Sequence, residues 1–309
     1  MRQGLAAPKG KWQGNPQGGV VTPDAIILPD PTLRFIRSAE RLEALAADHP
    51  MQDWLRFMAR LTHAQHAVAT ALGPFAGAER TAVETAVAAG MPPLAADGHR
   101  RDPAWREGLA MLPGHMESEA IPDSAQAVIA RLRGHDAETL DALADDFLSA
   151  GVGHADAGAV LYVAAALQVY FTRMAADLPA RSLRLLPQRG LCPCCGSTPV
   201  AGVVTASGST PGVRYLYCSL CSTAWNHVRA VCITCGESGA LVLEGIEGDP
   251  GSVKAETCGD CHTYAKMLYQ AKDTQVDPFA DDLATLGLDV LLAEAGWFRH
   301  AANPLLLVG

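Results

Sequence analysis

Residues 191–200 read LCPCCGSTPV and residues 231–240 read VCITCGESGA, so one cysteine pattern returns after forty positions. Each copy holds a C-x2-C pair followed directly by glycine, and a second C-x2-C pair closes it. The eight repeated cysteines are Cys192, Cys195, Cys218 and Cys221 in the first copy, and Cys232, Cys235, Cys258 and Cys261 in the second. A fixed period predicts two copies of one structural unit. We place them at 188–227 and 228–268.

The spacing of the cysteines is typical of metal binding. A two-residue spacer lets both sulfurs of a pair reach one ion, and two pairs present four thiolates tetrahedrally. The following glycine allows a left-handed turn. Sequential pairing gives one site per copy, and a cross-braced arrangement that mixes the first and third pairs is the alternative. We expect zinc or iron, since all-thiolate sites accept both. Four filled positions leave none for water, which argues against metal-assisted hydrolysis.

The remaining cysteine and several histidines are weaker candidates for chemistry. Cys194 lies inside the first pair, and we interpret it as a spectator, with a redox or sulfur-carrying thiol as the alternative. His63 and His66 are three residues apart on a predicted helix but form no H-E-x-x-H pattern. We expect His227 and His262, which flank the cysteine pairs, to lie behind the ligands or in solvent.

The rest of the chain predicts an α+β multidomain protein. Residues 1–23 are expected to form a flexible tail, and 24–187 an α-helical bundle. Asp30-Pro31 and Asp102-Pro103 predict helix starts, and the apolar run 155–178 predicts a buried central helix. Short apolar runs at 200–205, 213–217 and 240–243 predict small β modules. In 269–309, Asp277-Pro278 predicts the start of a last helix that runs to about Trp297 and packs on the modules or the bundle.

Composition narrows the classes of function. The chain has 309 residues, of which 49% are hydrophobic and 18% charged, so it is not a disordered polypeptide. The net charge is −9, and the cysteine region 188–268 has five Lys or Arg against six acids. We therefore do not expect nucleic-acid binding. No spanning segment or secretory signal is predicted, which favours a cytoplasmic location without membrane insertion. No nucleophile elbow, phosphate loop or dinucleotide fingerprint is found in a suitable context, so we do not predict an enzyme.

Several motifs resemble the formate dehydrogenase accessory protein family, FdhE. They are residues 29–33, 191–200, 214–221, 225, 228–232, 253–261, 264–266 and 281–286. The likeness spans most of the chain and is densest from 190 to 290, and the four-pair cysteine pattern is its specific part. Cys194 departs from the expected pattern, in which this position is not a cysteine.

The resemblance implies a helical domain followed by two rubredoxin-like, or zinc-ribbon-like, modules. It also implies two metal ions, one held by each four-cysteine set, with iron favoured and zinc a substitute. By resemblance the function is cytoplasmic maturation of respiratory formate dehydrogenase, a chaperone role that requires binding of the immature catalytic subunit before export. A rubredoxin-like redox or sulfur-relay protein is the alternative, and a zinc-ribbon nucleic-acid-binding protein a weaker one. Residues that match the motifs and would contact the partner or support the metal ligands are Arg214, Tyr215, Trp225, Arg229, Lys254, Glu256, Tyr264 and Lys266.

Overall fold

Helices fill the first half of the described chain. The computed structural model describes residues 22–116, 121–150, 157–207, 210–301 and 303–306, so most of the predicted tail lies outside it. The helices of this half are α1 (Pro31–Ala46), α2 (Gln52–Ala71), α3 (Arg80–Ala88), α4 (Ala104–Met116), α5 (Asp123–Gly134), α6 (Ala137–Ala150) and α7 (Ala157–Ala176). This arrangement confirms the predicted helical region.

Two helix starts follow directly from the sequence. Asp30 Oδ1 accepts a hydrogen bond from the Thr32 N–H at 2.9 Å, with Pro31 as the first residue of α1. At the start of α4, Asp102 Oδ1 accepts from the Ala104 N–H, also at 2.9 Å. Both carboxylates satisfy amides that have no partner within the helix. The two predicted caps are therefore confirmed.

Helix α7 is the centre of the helical region. By length and composition it could cross a membrane, yet 89% of its apolar window is buried inside the fold. It packs against α2, α4 and α6. Its buried Gln168 accepts a hydrogen bond from Gln65 Nε2 at 3.0 Å and donates to the Ser219 carbonyl at 2.8 Å. A buried amide needs such partners, and here they join the helices to the cysteine region.

One mixed sheet is formed mainly by the second half of the chain. Its strands are β1 (Ile26–Ile27), β2 (Pro199–Val204), β3 (Arg214–Cys218), β4 (Ala224–Asn226), β5 (Leu241–Glu244), β6 (Val253–Cys258), β7 (Thr263–Tyr269) and β8 (Phe298–Arg299). The strand order is β1-β4-β3-β2-β7-β6-β5, and β8 pairs with one end of β7. Strand β1 precedes the helices in the chain but pairs with β4, so the predicted helical region also contributes an edge strand.

The two cysteine units meet at the parallel pair of β2 and β7. Gly202 lies opposite Met267 in this pair. A Cβ atom on Gly202 would lie 2.6 Å from Met267 Sδ, so the Met267 side chain fills the space that a larger residue at 202 would need. The sheet is therefore continuous across the boundary predicted between the two modules.

The C-terminal segment differs from the single predicted helix. Asp277 Oδ1 accepts from the N–H groups of Phe279 and Ala280, as expected for a cap. Two short helices follow, α8 (Ala280–Ala284) and α9 (Leu286–Glu294), and Thr285 separates them. The break is stabilised from the sheet, because Lys266 Nζ donates to the carbonyls of Asp282 and Thr285 at 2.8 and 3.1 Å.

Candidate metal centres

The first cluster consists of Cys192, Cys195, Cys218 and Cys221. Their four Sγ atoms lie within 4.8 Å of one another. The Sγ atoms of Cys192 and Cys221 are 3.5 Å apart, and those of Cys195 and Cys218 are 3.4 Å apart. Strand β3 ends at Cys218, so the sheet fixes the second pair, while the first pair precedes β2.

The second cluster consists of Cys232, Cys235, Cys258 and Cys261, again with all Sγ atoms within 4.8 Å of one another. The distance from Cys232 Sγ to Cys261 Sγ is 3.7 Å, and that from Cys235 Sγ to Cys258 Sγ is 3.8 Å. Strand β6 ends at Cys258, just as β3 ends at Cys218. The clusters are therefore sequential and not cross-braced.

The sulfur spacing matches metal ligation and excludes disulfides. A disulfide requires about 2.05 Å between sulfurs, and all nine cysteines are free thiols. Four thiolates about 2.3 Å from a central ion stand about 3.8 Å apart along a tetrahedron's edges. The second cluster has this spacing, and the first is a few tenths of an ångström tighter. Each donor set could hold one zinc or iron ion.

The residue after every cysteine pair adopts the left-handed conformation. Gly196 and Gly236 have φ of +80° and +81°, as predicted from the glycine in each repeat. The corresponding residues after the other two pairs are Ser222 and His262, with φ of 62° and 55°. Because non-glycine residues pay a steric cost there, tertiary contacts must hold them.

Different parts of the fold supply those contacts. Ser222 Oγ accepts a hydrogen bond from Arg34 Nε at 3.0 Å and lies 3.1 Å from the Thr172 hydroxyl. The His262 carbonyl accepts from the Phe298 N–H at 3.0 Å. The first cluster thus depends on the helices, and the second on the C-terminal segment.

Backbone amides point toward the sulfurs. Cys192 Sγ accepts from the Cys194 N–H, Cys218 Sγ from the Leu220 N–H, and Cys232 Sγ from the Thr234 N–H, each at 3.4 Å. Thr223 Oγ1 accepts from Cys221 Sγ at 3.2 Å, and Thr263 Oγ1 lies 3.0 Å from Cys261 Sγ. The backbone amide donors favour the thiolate form that binds metal.

Burial and mutual hydrogen bonding shift the thiol pKa values of the first cluster in opposite directions. Burial raises the pKa of Cys192 well above its usual value. Burial also acts to raise the pKa of Cys195, but hydrogen bonds with Cys192, Cys218 and Cys221 outweigh it and hold that pKa well below the usual value. One thiolate is therefore stabilised by three neighbours that keep their protons. A bound metal ion would take the place of those protons and offset part of the charge of the four thiolates.

The two clusters differ in burial. All four cysteines of the first cluster are at most 1% exposed and belong to the same apolar core as α7. In the second cluster Cys235 is exposed and Cys261 is half-buried. Solvent therefore reaches the second cluster but not the first, an asymmetry that the repeat in the sequence does not reveal.

The helical region closes over the first cluster through a loop. The N–H groups of Leu94 and Ala96 donate to the carbonyls of Cys194 and Cys195, each at 2.8 Å. Cys194 itself is buried in the same core. The sequence does not indicate this contact, because an irregular segment has no periodicity that would mark it.

The predicted accessory residues are mostly interior. Arg214, Tyr215, Trp225, Tyr264 and Lys266 are buried, Lys254 and Glu256 are half-buried, and Arg229 is exposed. Arg214 Nη1 pairs with Glu256 Oε1 at 2.6 Å and its Nη2 donates to the carbonyls of Val228 and Val231. Arg214 therefore fixes the connection between the two cysteine units.

The histidines have structural contacts. His63 pairs with Glu43 on the helical surface. His227 Nδ1 lies 2.6 Å from Arg214 Nη2, and burial together with the Arg214 charge lowers its pKa to about 4. His227 is thus a neutral interior residue at pH 7.

A buried ionic network supports the second cluster and was not predicted. Lys266 Nζ lies 3.2 Å from Asp282 Oδ1 and 2.5 Å from Asp289 Oδ2, and Arg299 pairs with both acids. Tyr264 OH donates to Asp289 Oδ1 at 2.8 Å. Asp282 and Asp289 lie on α8 and α9, in a segment for which the sequence predicted only a helix, so nothing in the pattern indicated these pairings.

Comparison with known proteins identifies the family to which this chain belongs. Family models match residues 23–187 (FdhE, N-terminal), 191–229 (FdhE, central domain) and 230–306 (FdhE, C-terminal domain). The chain belongs to the FdhE family. It is 39% identical to the protein FdhE homolog of Edwardsiella ictaluri, with 98% of each chain covered. It is 37% identical to the protein FdhE of Escherichia coli strain SMS-3-5, with 89% of this chain and 88% of that protein covered.

A solved structure agrees with the fold. The crystal structure of the FdhE protein from Pseudomonas aeruginosa superposes with a TM-score of 0.84 at 35% identity, covering 92% of this chain and 99% of that one. Membership of the FdhE family supports the assignment of this chain as a formate dehydrogenase accessory protein.

Proposed function

We propose that this FdhE-family protein binds the immature catalytic subunit of respiratory formate dehydrogenase in the cytoplasm, before export, and assists its maturation. The proposal is carried by one observation: family likeness extends over the helical, central and C-terminal parts together. The geometry supports a binding role, since both donor sets use four cysteines and leave no ligand position open for a substrate.

The metals in this proposal are structural. Cys192, Cys195, Cys218 and Cys221 would hold one ion, and Cys232, Cys235, Cys258 and Cys261 the other. Each ion would join the end of a strand to a preceding turn, which supplies folding free energy to a unit too small to stabilise itself by burial. The chain's own residues orient the ligands: the left-handed turns position the cysteine pairs, and the backbone amide donors favour the sulfurs as thiolates.

Co-purification tests the binding function. Tagged protein should retain the catalytic subunit synthesised without its export machinery, and Cys→Ser variants of either cluster should lose the subunit together with the metal. Retention of the subunit by variants that have lost their metal would place binding in the helices alone. Failure of the metal-loaded wild-type protein to retain the subunit would refute the function.

A redox role is the second candidate, and the exposure of Cys235 favours it for the second cluster. Electron transfer requires a centre near the surface, and an iron ion with four thiolates supplies a one-electron couple when bound. Visible absorbance that bleaches reversibly on reduction, with one iron ion bound by the second cluster of each chain, would support this candidate. A colourless protein with two zinc ions would exclude electron transfer by these sites.

A further inference from the structure

Strand β5 forms the open edge of the sheet on the side of the second cluster. Its strand partner among the described residues is β6, in antiparallel register from Leu241 opposite Cys258 to Glu244 opposite Ala255. In such a pair, alternate residues direct their N–H and C=O groups away from the partner strand. The outer side of β5 is therefore a template for one more strand.

The open edge carries exposed aliphatic side chains. Val242 is 54% exposed, Leu243 46% and Ile246, just beyond the strand, 44%. Leu241 and Leu243 also line a groove of about 460 Å³ that lies over the face of the sheet, with Glu256 and Tyr269 on its other side. Soluble proteins protect an edge with a very short strand, charged residues, proline or a bulge. Strand β5 has four residues and one charge, Glu244, and contains neither lysine nor proline, so its aliphatic part remains available to an occupant.

Charge indicates the nature of the occupant. Four exposed acids lie on β5 or within a few residues of it in the chain, and none of them forms an ion pair within the part of the chain that the structure describes. They are Glu237, Glu244, Glu247 and Asp249. The bases near β5 are Arg214 and Arg229, which line the groove, and the half-buried Lys254; Arg214 is paired with Glu256. Two copies of this edge would repel each other, whereas an extended segment with lysine or arginine side chains would be attracted.

We propose that β5 binds an extended, basic segment of the partner protein as an added strand. Backbone hydrogen bonds along β5 would supply affinity, an apolar side chain of the segment would enter the groove beside Leu241 and Leu243, and the acids would select its basic side chains. The proposal rests on the proposed function for the identity of the partner, the catalytic subunit.

Charge reversal at the edge tests the proposal in the full-length, metal-loaded protein. The double variant Glu244→Lys/Glu247→Lys should weaken binding of the catalytic subunit roughly tenfold or more and change the dependence of binding on salt. The matched control is Glu84→Lys/Asp146→Lys, which reverses two exposed acids of the helical region and should bind as the wild type does. Both variants should keep the wild-type metal content, because all four side chains are exposed.

Hydrogen exchange tests strand addition directly. Amides of residues 241–244 should exchange more slowly in the complex than in the free protein. Equal binding by the two double variants, or unchanged exchange in β5, would overturn the proposal and leave the proposed function standing. Protection of β5 that increases with the protein's own concentration, without partner, would overturn it in favour of a second copy. No binding by the wild-type protein would refute the function and this proposal together.

Discussion

Replacement of Lys266 by methionine tests the buried network that holds the C-terminal helices. Lys266 is fully buried, and its ammonium group contacts two carboxylates and two carbonyls. Methionine retains the apolar stem but removes every donor. Breaking a buried ion pair by removal of one partner costs about 3–5 kcal/mol. Arg299 still pairs with Asp282 and Asp289, so we expect a loss near the lower limit, about 3 kcal/mol.

The loss of stability should be localised to the C-terminal helices that the network holds. Amides of α9 should exchange roughly a hundredfold faster in Lys266→Met, which corresponds to about 3 kcal/mol of opening free energy, while amides of α7 change little. The exposed Lys272 is the matched control, and Lys272→Met should alter exchange in α9 by less than a factor of about three. Equal exchange of α9 in wild type and Lys266→Met would refute the argument that this lysine fixes the C-terminal segment.

Three further predictions concern the clusters and the sheet. A chelator should remove the ion of the second cluster before that of the first, because Cys235 is exposed while the first cluster is buried. Metal analysis at successive times after addition of the chelator checks this order, and simultaneous release of both ions would contradict it. Gly202→Ala should lower the free energy of unfolding by about 1–3 kcal/mol, since the new Cβ would collide with Met267. In the control Gly239→Ala the new Cβ would enter open space, so urea denaturation should give nearly the wild-type stability. Folding lowers the pKa of His227 from an ordinary 6.5 to about 4, so between these pH values the unfolded state binds more protons than the folded state. The free energy of unfolding should therefore fall as the pH drops from about 6.5 toward 4. A His227→Gln variant should show a smaller fall in urea midpoint over this pH range, and a fall equal to that of the wild type would contradict the assignment.

The cysteine clusters and the helical region could be predicted because their signals are local. A C-x2-C pair with a following glycine specifies its own turn, and α7 is apolar on every side, so neither depends on distant contacts to be identified. Ser222 and His262 show the limit: they occupy the same left-handed position as the glycines, but contacts with Arg34 and Phe298 hold them there. Those partners are far away in the sequence.

Long-range pairing explains the other differences. Strand β1 has two residues, too few for a periodic pattern, and it is a strand because β4 pairs with it. The C-terminal segment reads as one helix, but Lys266 binds the carbonyls at Thr285 and a second helix begins there. The unequal burial of the clusters is likewise set by what packs on each copy, the α7 core on one and a short C-terminal segment on the other.

Metal analysis of the purified protein is the most direct test of the two-centre arrangement. We predict two ions per chain in the wild type, one in Cys221→Ser and one in Cys261→Ser, with zinc or iron as the metal. Wild-type protein that is fully folded with reduced thiols and no bound metal would contradict it. So would a single substitution that removes both ions while the other cluster's four sulfurs remain intact and the sheet stays folded.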